Sequence, residues 1–162
     1  MEVKGTAINS IPEFIVKKFG KEGFNQWLSA INEKARKVYE GHILAGNWYS
    51  MKEIMLEPTE KMCELFYHGD LKGAREGGRY SAELGLKGVY RVFVKLGSPE
   101  FLIRRASAIF TSYYHPSEMK VVAEEDKKAV VHITEFSEAS SLVENRIAGW
   151  MERALEISGA KT

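Results

Sequence analysis

The chain has 162 residues, a length at which one domain with a sizeable core is expected. Hydrophobic residues at 44% and charged residues at 28% exclude a disordered or fibrous chain, and 23 basic against 22 acidic residues leave no net field to gather nucleic acid or anionic lipid. The single cysteine, Cys63, excludes an intramolecular disulfide and any cysteine-based zinc site, which suits a reducing, cytoplasmic setting.

Met1 to Gly5 lacks the basic start and apolar core of a secretory signal, and no apolar stretch approaches the ~20 residues of a membrane span. Val3 to Ile8 alternates like a short strand. Ser10-Ile11-Pro12-Glu13 then carries a cap, an early proline and a returning Glu, so a helix is expected to start there and stop at Gly20. A second helix places Phe24, Trp27, Leu28, Ile31, Ala35 and Val38 on one stripe. Gly41 and Gly46 bracket a loop into Asn47-Trp48-Tyr49, and Ser50 with Glu53 repeats the capping pattern. Pro58 kinks the helix that follows or opens a new one, whose inner face holds Met62, Cys63, Leu65 and Phe66.

From Leu71 to Leu96 the period is helical but interrupted by glycines. Each interior glycine costs about 1 kcal/mol against Ala, which implies either close helix packing at Gly73, Gly77 and Gly85 or a break near Gly88. Ser98-Pro99 opens a helix with Phe101, Leu102, Ala106, Ile109, Phe110 and Tyr113 on its buried stripe, running up to Pro116. The period then changes to two: Met119, Val121 and Ala123, then Ala129, Val131 and Ile133, form a hairpin turning through Glu125-Asp126-Lys127-Lys128. Ser141 with Glu144 caps a final helix with Ile147, Trp150, Met151, Ala154 and Leu155 inward, ending at Gly159. The expected fold is α+β: a mostly helical single domain, residues 1–162, packed on a small antiparallel sheet, with a C-terminal hairpin followed by a final helix.

Chemistry is sparse. His42, His68, His115 and His132 fit neither a helical H-x-x-x-H nor a strand pair, so no metal is expected, and the glycines form no phosphate-binding sequence. The helical neighbours of Cys63, Thr59, Glu60, Phe66 and Tyr67, include nothing that would lower its pKa. What stands out is an excess of aromatic and sulfur-bearing residues in the middle of the chain, including Trp48, Met51, Met55, Met62, Tyr90, Phe93, Phe110 and Tyr113. Such residues build cores, and they also line apolar pockets.

Several stretches together carry a family likeness: Lys4-Gly5-Thr6-Ala7 with Gly20-Lys21-Glu22-Gly23-Phe24, Asn47-Trp48-Tyr49, Gly97-Ser98-Pro99 through Arg104-Arg105-Ala106 to Tyr113-Tyr114, the hairpin, and Gly149 to Glu156. Their order resembles a bacterial family of unknown function known mainly from myxobacteria. That family is similar to the 4-vinyl reductase-type small-molecule-binding domain, whose wider group includes haem-nitric-oxide sensors and small TRAPP subunits. Tyr80-Ser81-Ala82-Glu83 lacks the Tyr-x-Ser-x-Arg motif of the haem sensors, and one cysteine cannot replace the several of zinc-bearing relatives, so neither haem nor metal follows. Some TRAPP-like proteins hold an acyl chain on a cysteine, which makes Cys63 a candidate acylation point.

The resemblance implies a cytoplasmic, non-enzymatic small-molecule-binding or sensory domain, a homodimer without cofactor, nucleic acid partner or membrane span. A hydrophobic or aromatic ligand would lie between Trp48, Tyr90, Phe110 and Tyr113, with Arg105 or His115 as the polar contact. The alternative is a protein-interaction or scaffold module with a packed core and no small ligand. An enzyme ranks third, for want of a nucleophile–base pair or paired carboxylates.

Overall fold

The computed structural model describes residues 1–87, 99–125 and 128–160. In chain order these form β1 (Glu2–Lys4), α1 (Gly5–Ile8), α2 (Ser10–Ala30), α3 (Glu33–Glu40), β2 (Trp48–Ser50), a π-helical segment (Met51–Leu56) continuing into α4 (Glu57–Tyr67), α5 (Lys72–Lys87), α6 (Pro99–Thr111), β3 (Tyr114–His115), β4 (Glu118–Glu125), β5 (Lys128–Thr134) and α7 (Ser141–Ile157). Helices dominate, accompanied by two small antiparallel sheets and closed by a C-terminal helix, so the α+β expectation holds. One sheet has the order β2-β1-β3, with Val3 opposite both Tyr49 and Tyr114. The other is the β4–β5 hairpin. No described helix is long and apolar enough to cross a membrane.

The main core gathers Val3 from β1, Ile8, Ile15 and Trp27 from the amino-terminal helices, Met51, Met55 and Met62 from the middle helix, and Met119 and Val143 from the carboxy-terminal third, all 2% exposed or less. Of the stripe anticipated over residues 24–38, Trp27, Ile31 and Ala35 are buried and Phe24, Leu28 and Val38 are half-buried against the core, and two helices carry it. The chain turns extended at Ile31, and Asn32 Oδ1 accepts the Ala35 N–H to start α3 afresh. Gly20 ends the first helix as expected: at φ 73° it leaves helical geometry, and α2 is two helices joined across a kink there. The amino-terminal strand stops at Lys4, because Gly5 enters a helical turn that passes the chain directly into α2. With the Asn9 N–H bonded to the Gly5 carbonyl, that turn supplies an acceptor where a cap was expected, and Ser10 plays no capping role.

Pro58 shows how sequence, backbone and packing are coupled. Having no N–H, it leaves the Ile54 carbonyl without its helical donor. The chain widens to a π turn, the Glu57 N–H reaching the Lys52 carbonyl, so the Glu53 carbonyl also lacks a partner in the helix. Side chains from α2, α3 and the residue between them take over. The Tyr39 hydroxyl donates to the Ile54 carbonyl at 2.5 Å, Asn32 Nδ2 to the Glu53 carbonyl at 2.8 Å, and Trp27 Nε1 to the Pro58 carbonyl at 2.8 Å. Three buried or half-buried donors thus dock the amino-terminal helices onto the middle one.

Toward the carboxy terminus, α5 and α7 pack backbone to backbone. A Cβ on Gly78 would overlap the Arg146 carbonyl, and one on Gly149 would overlap the Arg75 carbonyl. The pairs Arg75–Glu152, Arg79–Glu156 and Arg153–Glu83, at 2.8–3.0 Å, fasten the outer side of the crossing. Close packing was anticipated at Gly73, Gly77 and Gly85. The first two do sit against neighbours, whereas Gly85 has only an ordinary contact and Gly78 carries the tightest approach. The anticipated break near Gly88 lies outside the described residues.

Three further expectations are revised. Helix α6 ends at Thr111 and buries only Phe110 fully, while Phe101 is 39% exposed beneath the Arg105 guanidinium. A bulge between Val121 and Ala123 reverses the facing of β4, which leaves Ala123 exposed. The cap of α7 is Ser140, whose Oγ accepts the Val143 N–H, one residue before the expected Ser141. The residues of the hairpin turn, Asp126 and Lys127, are outside the described residues.

Two stability predictions follow from these contacts. Tyr39→Phe strands the buried Ile54 carbonyl and is expected to lower urea-unfolding free energy by about 1–3 kcal/mol; an unchanged midpoint would show that water reaches that carbonyl. Gly78→Ala is expected to destabilise by at least about 1–3 kcal/mol, and Gly85→Ala to stabilise by up to about 1 kcal/mol. Equal midpoints for the two alanine variants would contradict the close crossing.

Candidate functional site

On α7 the buried positions are Val143, Arg146, Gly149 and Ala154. An arginine therefore stands on the inward stripe, three residues after one core contact and three before another. The glycine crossing draws α7 so close to α5 that the Arg146 guanidinium has no route out along the helix surface and lies beside Gly77, with the residue 5% exposed. Its Nη2 donates to the Ala7 carbonyl at 2.9 Å. Tyr114, also buried, shares a hydrogen bond with it: burial pushes the Tyr114 phenol up, while the Arg146 charge and that hydrogen bond pull it down.

Among the described residues no carboxylate comes within ion-pair distance of Arg146. A guanidinium withdrawn from water without a counter-charge carries a desolvation penalty of several kcal/mol, which neutral acceptors offset only in part. This arrangement is unusual for a purely structural arginine.

Beside this group lies a cavity of about 50 Å³. The space is larger than a single ordered water requires. Helix α6 contributes Ala106, Ile109 and Phe110 to its wall, α7 contributes Arg146, Ile147, Trp150 and Met151, and α5 contributes Gly78 and Ser81. Tyr113, Tyr114, Met119 and Ala7 complete it. The wall is set by aromatic contacts: Tyr113 and Trp150 ring centroids are 6.1 Å apart, and Phe110 and Tyr114 are 4.9 Å apart. The Ser107 hydroxyl donates to the Met119 carbonyl and ties α6 to the hairpin behind the cavity. Ser81, on the same wall, is 8% exposed.

Of the residues anticipated to bind a ligand, Phe110 and Tyr113 line this cavity. Trp48 and His115 meet elsewhere, on the β2-β1-β3 sheet, with ring centroids 5.8 Å apart and the Lys4 ammonium 4.8 Å from the Trp48 ring. Arg105 is exposed and stacks on Phe101. Tyr90 lies outside the described residues. Cys63 is 2% exposed between α4 and α5, close against Gly73 and away from the cavity lining. Burial pushes its thiol above the ordinary value, although a hydrogen bond from the Ala74 backbone opposes the shift.

Arg146, Tyr114 and Ser81 were not anticipated. A charged residue on an otherwise apolar helical stripe was the available signal for Arg146. Among the described residues no group of three His, Cys, Asp or Glu side chains is placed to hold a metal ion. No family model, curated protein or solved structure matches the chain.

Cys63 yields a direct test. In the native protein its alkylation by iodoacetamide at pH 8 is expected to be roughly tenfold or more slower than in urea, since the buried thiol is held protonated. Equal rates would mean that the thiol is open and ionised, as an acylation point requires.

Proposed function

We propose that this protein is a non-enzymatic small-molecule-binding or sensory domain whose ligand occupies the cavity between α5, α6, α7 and the hairpin. The observation that carries the proposal is the pairing of an apolar, aromatic wall with a buried guanidinium that lacks a counter-charge. An apolar surface with a few fixed polar groups is the ordinary make-up of a ligand pocket. The described lining offers a guanidinium, a hydroxyl and two phenols, groups that orient a ligand rather than exchange protons near neutral pH.

The resemblance of the sequence to the 4-vinyl reductase-type domain supports the same reading and adds a cytoplasmic homodimer. The interaction-module alternative draws less support. Among the described residues the exposed large apolar side chains are Val16, Leu44, Trp48, Phe101 and Val122, which lie on α2, in the loop before β2, on β2, on α6 and on β4.

The test is thermal unfolding with compact apolar probes, indole, toluene, benzoate and hexanoate, alongside Trp150 fluorescence. At a free concentration of 100 times Kd, a probe that binds only the folded state adds about 2.7 kcal/mol of stability. Ala106→Leu fills the cavity from α6 and is expected to fold normally while losing the response. Absence of any response in the parent protein, or an equal response in Ala106→Leu, would refute the cavity as a binding site.

A further inference from the structure

Resting on the ligand-binding reading above, we infer that the cavity takes a small organic monocarboxylate, with its acid group on Arg146 and a compact apolar body against Ile109, Phe110 and Trp150. Charge supplies the first step. The acids of the helices forming the crossing are committed elsewhere: Glu76 to Lys18, Glu83 to Arg153, and Glu152 and Glu156 to Arg75 and Arg79, while Glu144 is exposed. The described protein leaves one buried positive charge to be met from outside.

Geometry narrows the class. A guanidinium is a planar fork that matches a carboxylate through two parallel hydrogen bonds. Nη2 already donates one hydrogen to Ala7 and Tyr114 takes up a further hydrogen bond of the group, and the guanidinium belongs to the cavity wall, where the close contact of α7 with Gly78 fixes its helix. Ser81, buried on the same wall, is a second polar group there. Arg146 is the sole cation in the described lining, so a monoanion is matched in charge and a dianionic phosphate is not. The cavity volume, about 50 Å³, favours a compact apolar body over a long acyl chain. Such a ligand brings both the missing charge and the surface to displace whatever water the cavity holds.

The experiment compares matched probes on the full chain: benzoate against benzamide and hexanoate against hexanamide, at constant ionic strength, read by calorimetry and by Trp150 fluorescence. The same titrations are run on Arg146→Met and Arg146→Lys. The acids are expected to bind on the order of tenfold to a hundredfold more tightly than their amides. That preference should vanish in Arg146→Met and survive in reduced form in Arg146→Lys. Equal binding of acid and amide to the parent protein would overturn the anion assignment and leave the binding cavity standing. Failure of all four probes would overturn both. Should Arg146→Met not fold, the acid-to-amide ratio in the parent protein still decides the matter.

Discussion

The contact between Gly78 and the Arg146 carbonyl is the constraint on which the carboxy-terminal half depends. Two helices that meet with no side chain between them give up the space a Cβ would fill, and the rest of α7 is placed by that approach. Outside the crossing, arginines and glutamates pair across solvent, where each pair contributes less than about 1 kcal/mol. Inside it, Arg146 is carried into the core, Trp150 meets Tyr113, and Phe110 faces the hairpin. The cavity is the volume this packing leaves between α5, α6 and α7.

The amino-terminal half is held by a different device. Pro58 removes one backbone donor and the π turn displaces another, and the chain answers with Tyr39, Asn32 and Trp27 rather than with water. Burial pushes the Tyr39 phenol far above its ordinary value, so it remains a donor throughout the accessible pH range. A rigid amino-terminal half matters for the site, since the Ala7 carbonyl that receives Arg146 belongs to it. The two halves are joined at the guanidinium.

Periodicity made much of the fold legible. The stripe from Phe24 to Val38 survives a helix break because Asn32 restarts the helix with little change of face, and the hairpin and closing helix stand where alternation and helical spacing put them. The α6 stripe fared less well, since Phe101 satisfies the spacing yet finds its partner in Arg105 at the surface. For the site, Phe110 and Tyr113 could be anticipated as aromatics on a buried helix end. Trp48 and His115 share their aromatic character, but the strand register sends both to the small sheet, where Lys4 faces Trp48 and Glu2 faces His115. Arg146 escaped notice because charge on a helix ordinarily marks the solvent side, and only the glycine crossing, a contact between residues far apart in the chain, turns that side inward.

The role of the buried guanidinium is tested most directly by a crystal structure of the protein grown with benzoate and read at Arg146. The expected result is benzoate in the cavity, its carboxylate oxygens about 2.7–2.9 Å from the guanidinium nitrogens and its ring against Phe110 and Trp150. An Arg146 turned out to solvent, or paired with a carboxylate of the protein itself, would contradict it.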